Sequence, residues 1–137
     1  MMQLRKLNQG QEWQVVAPVD HRGDCAVEAF LEELADNRST KAIAAGLLAI
    51  WSRIPKEGPH ELPTDWFHCV DSANQIYEFI KGSYRVLCFV GQGRLIVCGT
   101  VFMKKQRKTP EAEKARAVAL RKAYLTAVAE NKVVVVG

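Results

Sequence analysis

Apolar residues recur along this chain with two different periods. From Cys25 to Asp36, Val27, Phe30, Leu31 and Leu34 follow the i, i+3, i+4, i+7 spacing of one helix face, while Glu28, Glu32 and Asp36 line another. The spacing predicts an acid-faced amphipathic helix opened by Gly23 and Asp24. Asn37-Arg38-Ser39 interrupts the pattern and offers a capping side chain, after which Thr40 to Ile54 is rich in Ala, Leu and Ile with few charges. A second, largely buried helix is predicted there, antiparallel to the first because the connection is short.

The other period is two. Trp13 to Val19 carries β-branched residues and an aromatic, with Pro18 marking an edge strand or the end of one. Pro55 to Pro63 holds three prolines and a glycine and reads as a loop, and Asp65 to Asp71 fits neither period. Strands are predicted over Gln75–Ile80, Tyr84–Val90 and Arg94–Met103. The turns Lys81-Gly82-Ser83 and Gly91-Gln92-Gly93 make them an antiparallel meander. Alternation sends Tyr84, Val86, Cys88 and Val90 to one face and Arg85, Leu87 and Phe89 to the other. Arg85 thus leaves a mostly apolar strand, either snorkelling to water at the sheet rim or held in a pocket for an anion.

A last helix is marked by Thr109 as N-cap, Pro110 at the first helical position, and Glu111 and Glu113 in the first turn. Ala117, Leu120, Tyr124, Ala127 and Val128 form its apolar stripe. Val133 to Val136 either adds a short strand or is a flexible end. The order is strand, helical hairpin, meander, closing helix, which predicts an α+β domain with helices packed on an antiparallel sheet.

Length and composition fit this scheme: 137 residues, 48% apolar and 25% charged, describe one domain over 1–137 with its own core. Residues 1–12 read as a disordered lead or an edge, and 133–137 stay open as a tail. The start has no apolar core, and the longest apolar run, Ala42 to Trp51, is too short to span a bilayer, so the expectation is a soluble cytoplasmic protein with no membrane partner. Cys25, Cys69, Cys88 and Cys98 are widely spaced and read as reduced core residues. Neither His21 with Cys25 nor His68 beside Cys69 gives a metal-site spacing, so no metal and no cofactor is expected.

Charge changes the picture more. Residues 1–78 hold 7 basic and 12 acidic side chains, net −5, whereas residues 79–137 hold 12 basic and 3 acidic, net +9. Between Phe79 and Pro110 there is no carboxylate, yet there are seven cations: Lys81, Arg85, Arg94, Lys104, Lys105, Arg107 and Lys108. With nothing local to neutralise it, such a segment suits a polyanion. The chain has no P-loop, no Gly-x-Ser-x-Gly, no HExxH and no dinucleotide glycine motif beyond Gly91-x-Gly93. RNA carries its own nucleophile, the 2′-hydroxyl. Cleaving it requires in-line positioning, stabilisation of a developing phosphorane and the movement of two protons, most of which lysine and arginine can supply.

The stretch IYEFIKGSYRVLCFVGQGRLIVCGTVFMKKQRKTP, followed by AVALRKAY, resembles the RelE/HigB superfamily, specifically the phage-derived, HigB-like host-inhibition toxins of type II toxin–antitoxin systems. Its most specific pieces are FMKKQRKTP, Phe102 to Pro110, and the YRV of Tyr84 to Val86. The resemblance implies a RelE-like fold and a ribosome-dependent mRNA endonuclease, or mRNA interferase. It implies as partners mRNA, the ribosome and a cognate antitoxin, usually a helix-turn-helix protein. It gives catalytic roles to Arg85, Lys104 and Lys105 and matches Lys108 to the lysine before Thr-Pro, while the carboxylate-free segment adds Lys81, Arg94 and Arg107 to Lys108 as RNA-binding candidates. Tyr84 and Tyr124 are accessory positions, Tyr124 read rather as core. Two positions depart from the family pattern: Ile80 stands where arginine is frequent, and Thr100-Val101 where His-Gly is frequent, removing groups that bind phosphate or move protons. The related ParE branch shares this fold and inhibits gyrase by binding it, so a non-enzymatic inhibitor is the second reading. A chain that only binds antitoxin or nucleic acid is the third.

Overall fold

Continuous apolar runs in this chain become strands buried on both faces. The computed structural model describes residues 1–8 and 12–137. In chain order its elements are β1 (Met2–Lys6), β2 (Gln14–Val19), α1 (Ala26–Asp36), α2 (Lys41–Ser52), a 3-10 turn at Pro59–Glu61, β3 (Phe67–Asp71), β4 (Ile76–Lys81), β5 (Tyr84–Val90), β6 (Leu95–Met103), α3 (Glu111–Ala129) and β7 (Val133–Val136). Among the described residues the strands form one seven-stranded sheet in the order β3-β4-β5-β6-β2-β1-β7. Neighbours are antiparallel except β2 with β6 and β1 with β7, which are parallel. The α+β class expected from the pattern is what forms, and the arrangement is consistent with a RelE-like fold.

The helical hairpin covers one face and α3 the other. Val15, Ala17, Phe79, Val86 and Cys88 pack with Trp51 and Leu47 of α2. Val16, Ile76, Leu87 and Phe89 point the opposite way, toward Ala117 and Tyr124 of α3. The alternation read for β5 therefore holds. Trp51, 1% exposed, stands edge-on to Phe79 with centroids 5.9 Å apart, a geometry that adds to the burial of both rings.

Near the middle of β6 the pairing passes from Cys88↔Cys98 to Leu87↔Thr100, so β6 carries one extra residue. The bulge returns Val101 to the face of Cys98 and turns Phe102 to that of Leu87. A Cβ on Gly99 would lie 3.2 Å from Leu120 and 3.8 Å from the backbone of Ala117. The glycine lets α3 sit close on the sheet.

Several sequence expectations are corrected. The meander has four strands, because Phe67–Asp71 forms an edge strand; its weak period reflects burial that fades along one face, with Phe67 buried and Cys69, on the same face, exposed. Met2–Lys6 is neither disordered nor an edge but an inner strand between β2 and β7, fixed by Leu4 in the core; residues 9–11 of that lead lie outside the described residues. The valine run, read as either a short strand or a flexible end, is a strand, the parallel edge β7. Helix α3 begins one residue later than expected: Pro110 is the extended cap, and its carbonyl accepts from Glu113 and Lys114 at 3.1 Å. Its stripe is as read, with Ala117 and Tyr124 buried and Leu120 and Val128 packed partly on the same core. No helix among the described residues is long and apolar enough to cross a membrane.

Candidate functional site

The register brings one end of β4, β5 and β6 together. Lys81 pairs with Tyr84, Tyr84 with Met103 and Arg85 with Phe102, and the amide of Lys104 donates to Ser83 O at 2.7 Å. Lys81, Arg85, Lys104 and Lys105 therefore share one corner of the sheet, which the exposed Arg107 and Lys108 continue toward α3. Among the described residues, none of Lys81, Lys104, Lys105, Arg107 and Lys108 forms an ion pair. Cations held side by side without carboxylates attract phosphate more strongly than scattered ones.

Arg85 behaves differently. Its Nη1 donates to Gly82 O at 2.8 Å and Tyr84 O at 2.9 Å, and its Nε lies 3.6 Å from Oε1 of Glu78. The side chain is 17% exposed and that of Glu78 only 1%. A buried carboxylate thus neutralises an arginine that the sequence placed in a carboxylate-free segment. Glu78 is also 2.7 Å from Nε2 of His68, whose Nδ1 faces Thr64 O at 3.2 Å. Alternation and register put His68, Glu78, Arg85, Leu87 and Thr100 on the same face. Glu78 Oε2, Arg85 Nε and Thr100 Oγ1 are buried there without a hydrogen-bond partner.

Sequence reasoning missed Glu78 and His68. One signal was present: Glu78 is a lone charge in the apolar run Ile76–Ile80 and shares a strand face with the buried Ile76. Its pairing with His68 was not readable, because β3 has no clear period of its own.

Two predicted site residues lie elsewhere. Arg94 precedes β6, whose nine residues carry the chain about 27 Å to the lysine corner, and it pairs with Glu12 in an exposed contact. Tyr124 is at that same far end, 2% exposed, with its ring 5.4 Å from Phe89 and its hydroxyl accepting from Gln92 N at 2.9 Å; it is a core residue. Tyr84 is near the corner in sequence, but its ring packs between the helices, edge-on to Phe30. Burial raises the thiols of Cys88, Cys98 and Cys25 above their ordinary value, which keeps them protonated and poor nucleophiles. Cys69, expected in the core, is exposed on the edge strand.

The corner presents positive charge that no carboxylate among the described residues offsets at Lys104 and Lys105, a setting that attracts anions. A family model described as phage-derived protein Gp49-like (DUF891) matches residues 30–122, from within α1, through the meander and the lysine tract, into α3. No curated relative matches the chain. The family match takes in 93 of 137 residues, counted from 30 to 122, and so the chain belongs to the phage-derived Gp49-like family of toxin–antitoxin toxins, whose partners are antitoxins.

Proposed function

We propose that this protein is a cytoplasmic toxin that inhibits translation by cleaving mRNA on the ribosome, and that a helix-turn-helix antitoxin neutralises it. The observation that carries this reading is that the β5–β6 register sets Lys104 and Lys105, unpaired among the described residues, at the end of the sheet beside Arg85. In the reaction, the 2′-oxygen forms a bond to phosphorus as the bond to the 5′-oxygen breaks, leaving a 2′,3′-cyclic phosphate and a 5′-hydroxyl. One proton leaves the 2′-hydroxyl and one reaches the departing oxygen. Lys104 and Lys105 are neighbouring amines able to accept the first and donate the second. Arg85, fixed from behind by Glu78, offers Nη2, which carries no hydrogen bond among the described residues, to the phosphate. Arg107 and Lys108 hold the strand further along.

Primer extension on cellular mRNA after induction tests this. New 5′ ends are expected with the native chain and none with a Lys104→Ala/Lys105→Ala double variant that remains folded. Growth arrest without new ends would overturn the endonuclease in favour of an inhibitor that binds a protein target.

A further inference from the structure

The β4–β5 turn separates the lysine corner from a second feature on the face that carries α2. A cavity of about 300 Å³ opens there between α2, the segment leading into β3 and the end of β4. Gly46 and Ala49 form its floor, the half-buried Trp66 is one wall, and Arg53 and Lys81 bring positive charge. Its size suits a small ligand.

Lys81 depends on a glycine. A Cβ on Gly46 would stand 2.8 Å from Lys81 Cδ and 3.0 Å from Cγ, so the lysine stem lies flat on the helix where the side chain is missing. Glycine is a poor residue for a helix interior, and at this position it gives Lys81 a fixed track beside the cavity. Gly82, next along the chain, is shared between the cavity wall and the turn that accepts the Arg85 hydrogen bond. The cavity and the corner are thus two sides of one turn.

We propose that this cavity takes one nucleotide of single-stranded RNA, its base stacked on Trp66 and its phosphate between Arg53 and Lys81. The proposal rests on the endonuclease reading for its biological ligand, because the strand that enters here continues over the turn to Lys104. Two cations against the single carboxylate of Asp65 favour a ligand carrying negative charge. An indole accepts any base, since every base has a π face. Asp65, an acceptor beside the stacked ring, favours bases whose Watson–Crick edge presents an amino group. The cavity would then select which nucleotide lies next to the cleaved bond.

Nuclear magnetic resonance of the full chain tests this without ribosomes. Guanosine 5′-monophosphate is titrated while the indole N–H signals of Trp13, Trp51 and Trp66 are followed, with assignment by Trp66→Phe. The Trp66 signal should move saturably, and ribose 5-phosphate should move it far less. Trp66→Ala should weaken binding roughly tenfold or more. That change also opens the core, so Gly46→Ala is the sharper variant: it keeps every charge and favours the helix, yet lifts Lys81 from its track, and binding should fall roughly fivefold. Arg94→Ala, at the far end of β6 and outside the cavity, should bind as the native chain does. A Trp66 signal that stays put, an equal response to ribose 5-phosphate, or native affinity in Gly46→Ala each overturns the proposal. If mRNA is cut but Trp66 does not respond, the cavity fails alone. If Trp66 responds but no mRNA is cut, the endonuclease fails and the nucleotide site stands.

Discussion

The two ends of β6 carry the same kinds of residue under opposite conditions. At the Leu95 end, Arg94 meets Glu12 in solvent with both side chains 49% exposed. Such a pair contributes little, because water screens it and ordering two long side chains costs entropy. At the Met103 end, Arg85 faces a carboxylate that water does not reach, while Lys104 and Lys105 have none among the described residues. The contrast separates three states of a cation that a charge count treats alike: paired in water, paired in the interior, and unpaired. Only the last is fully available to a polyanion, and the second holds its neighbours in place.

This contrast can be broken experimentally, beginning where the effect is largest. Lys104→Ala/Lys105→Ala should lower mRNA cleavage by roughly 10²- to 10⁴-fold, the usual range for losing acid–base groups, with urea denaturation little changed. Retained cleavage would show that the unpaired lysines are only a solvated face. Glu78→Ala strips Arg85 and His68 of their buried partner and should destabilise the fold by about 3–5 kcal/mol, read from the urea midpoint. A shift no greater than that of a surface variant would mean that the interior pair does not organise the corner. Arg94→Ala should change both stability and cleavage little, within about 0.5 kcal/mol of the native chain. A clear loss of cleavage would place the far end of β6 in the site.

Thiol labelling sharpens the same division between interior and surface. In the native protein a disulfide reagent should modify Cys69 quickly and the buried Cys25, Cys88 and Cys98 only on unfolding. Rapid reaction of all four would contradict the two-sided core. The smallest effect concerns acid. Asp20, held by the amides of Asp24 and Arg22, and Asp71, held by the Asn74 side chain and amide, sit below their usual 3.8. A lowered carboxyl contributes stability above its unfolded value and loses it as pH falls through the folded one. Asp20→Asn and Asp71→Asn should therefore lower the melting temperature slightly at pH 7 and make no difference near pH 2; an equal effect at both would remove electrostatics as the cause.

How much of this was legible without coordinates follows from distance along the chain. The helix over α1, the hairpin, the meander strands and the alternation at Tyr84–Val90 depend on residues a few positions apart, so spacing alone was enough. Strands β1 and β7 were not legible, because a short strand with one buried residue or four valines takes its identity from the neighbours it pairs with. The placing of Lys81, Lys104 and Lys105 at one end of the sheet could be expected from the meander, and the strand read over Arg94–Met103 already set Arg94 at the other end, whereas its pairing with Glu12 needed the fold.

By itself the sequence determined the local elements, the two-sided burial of the central strands and a segment of cations without carboxylates. Tertiary structure alone decided which of those cations stay free. A charge is neutralised by what lies near it in space, and the partners of Arg85 and Arg94 come from a neighbouring strand and from the far end of the chain.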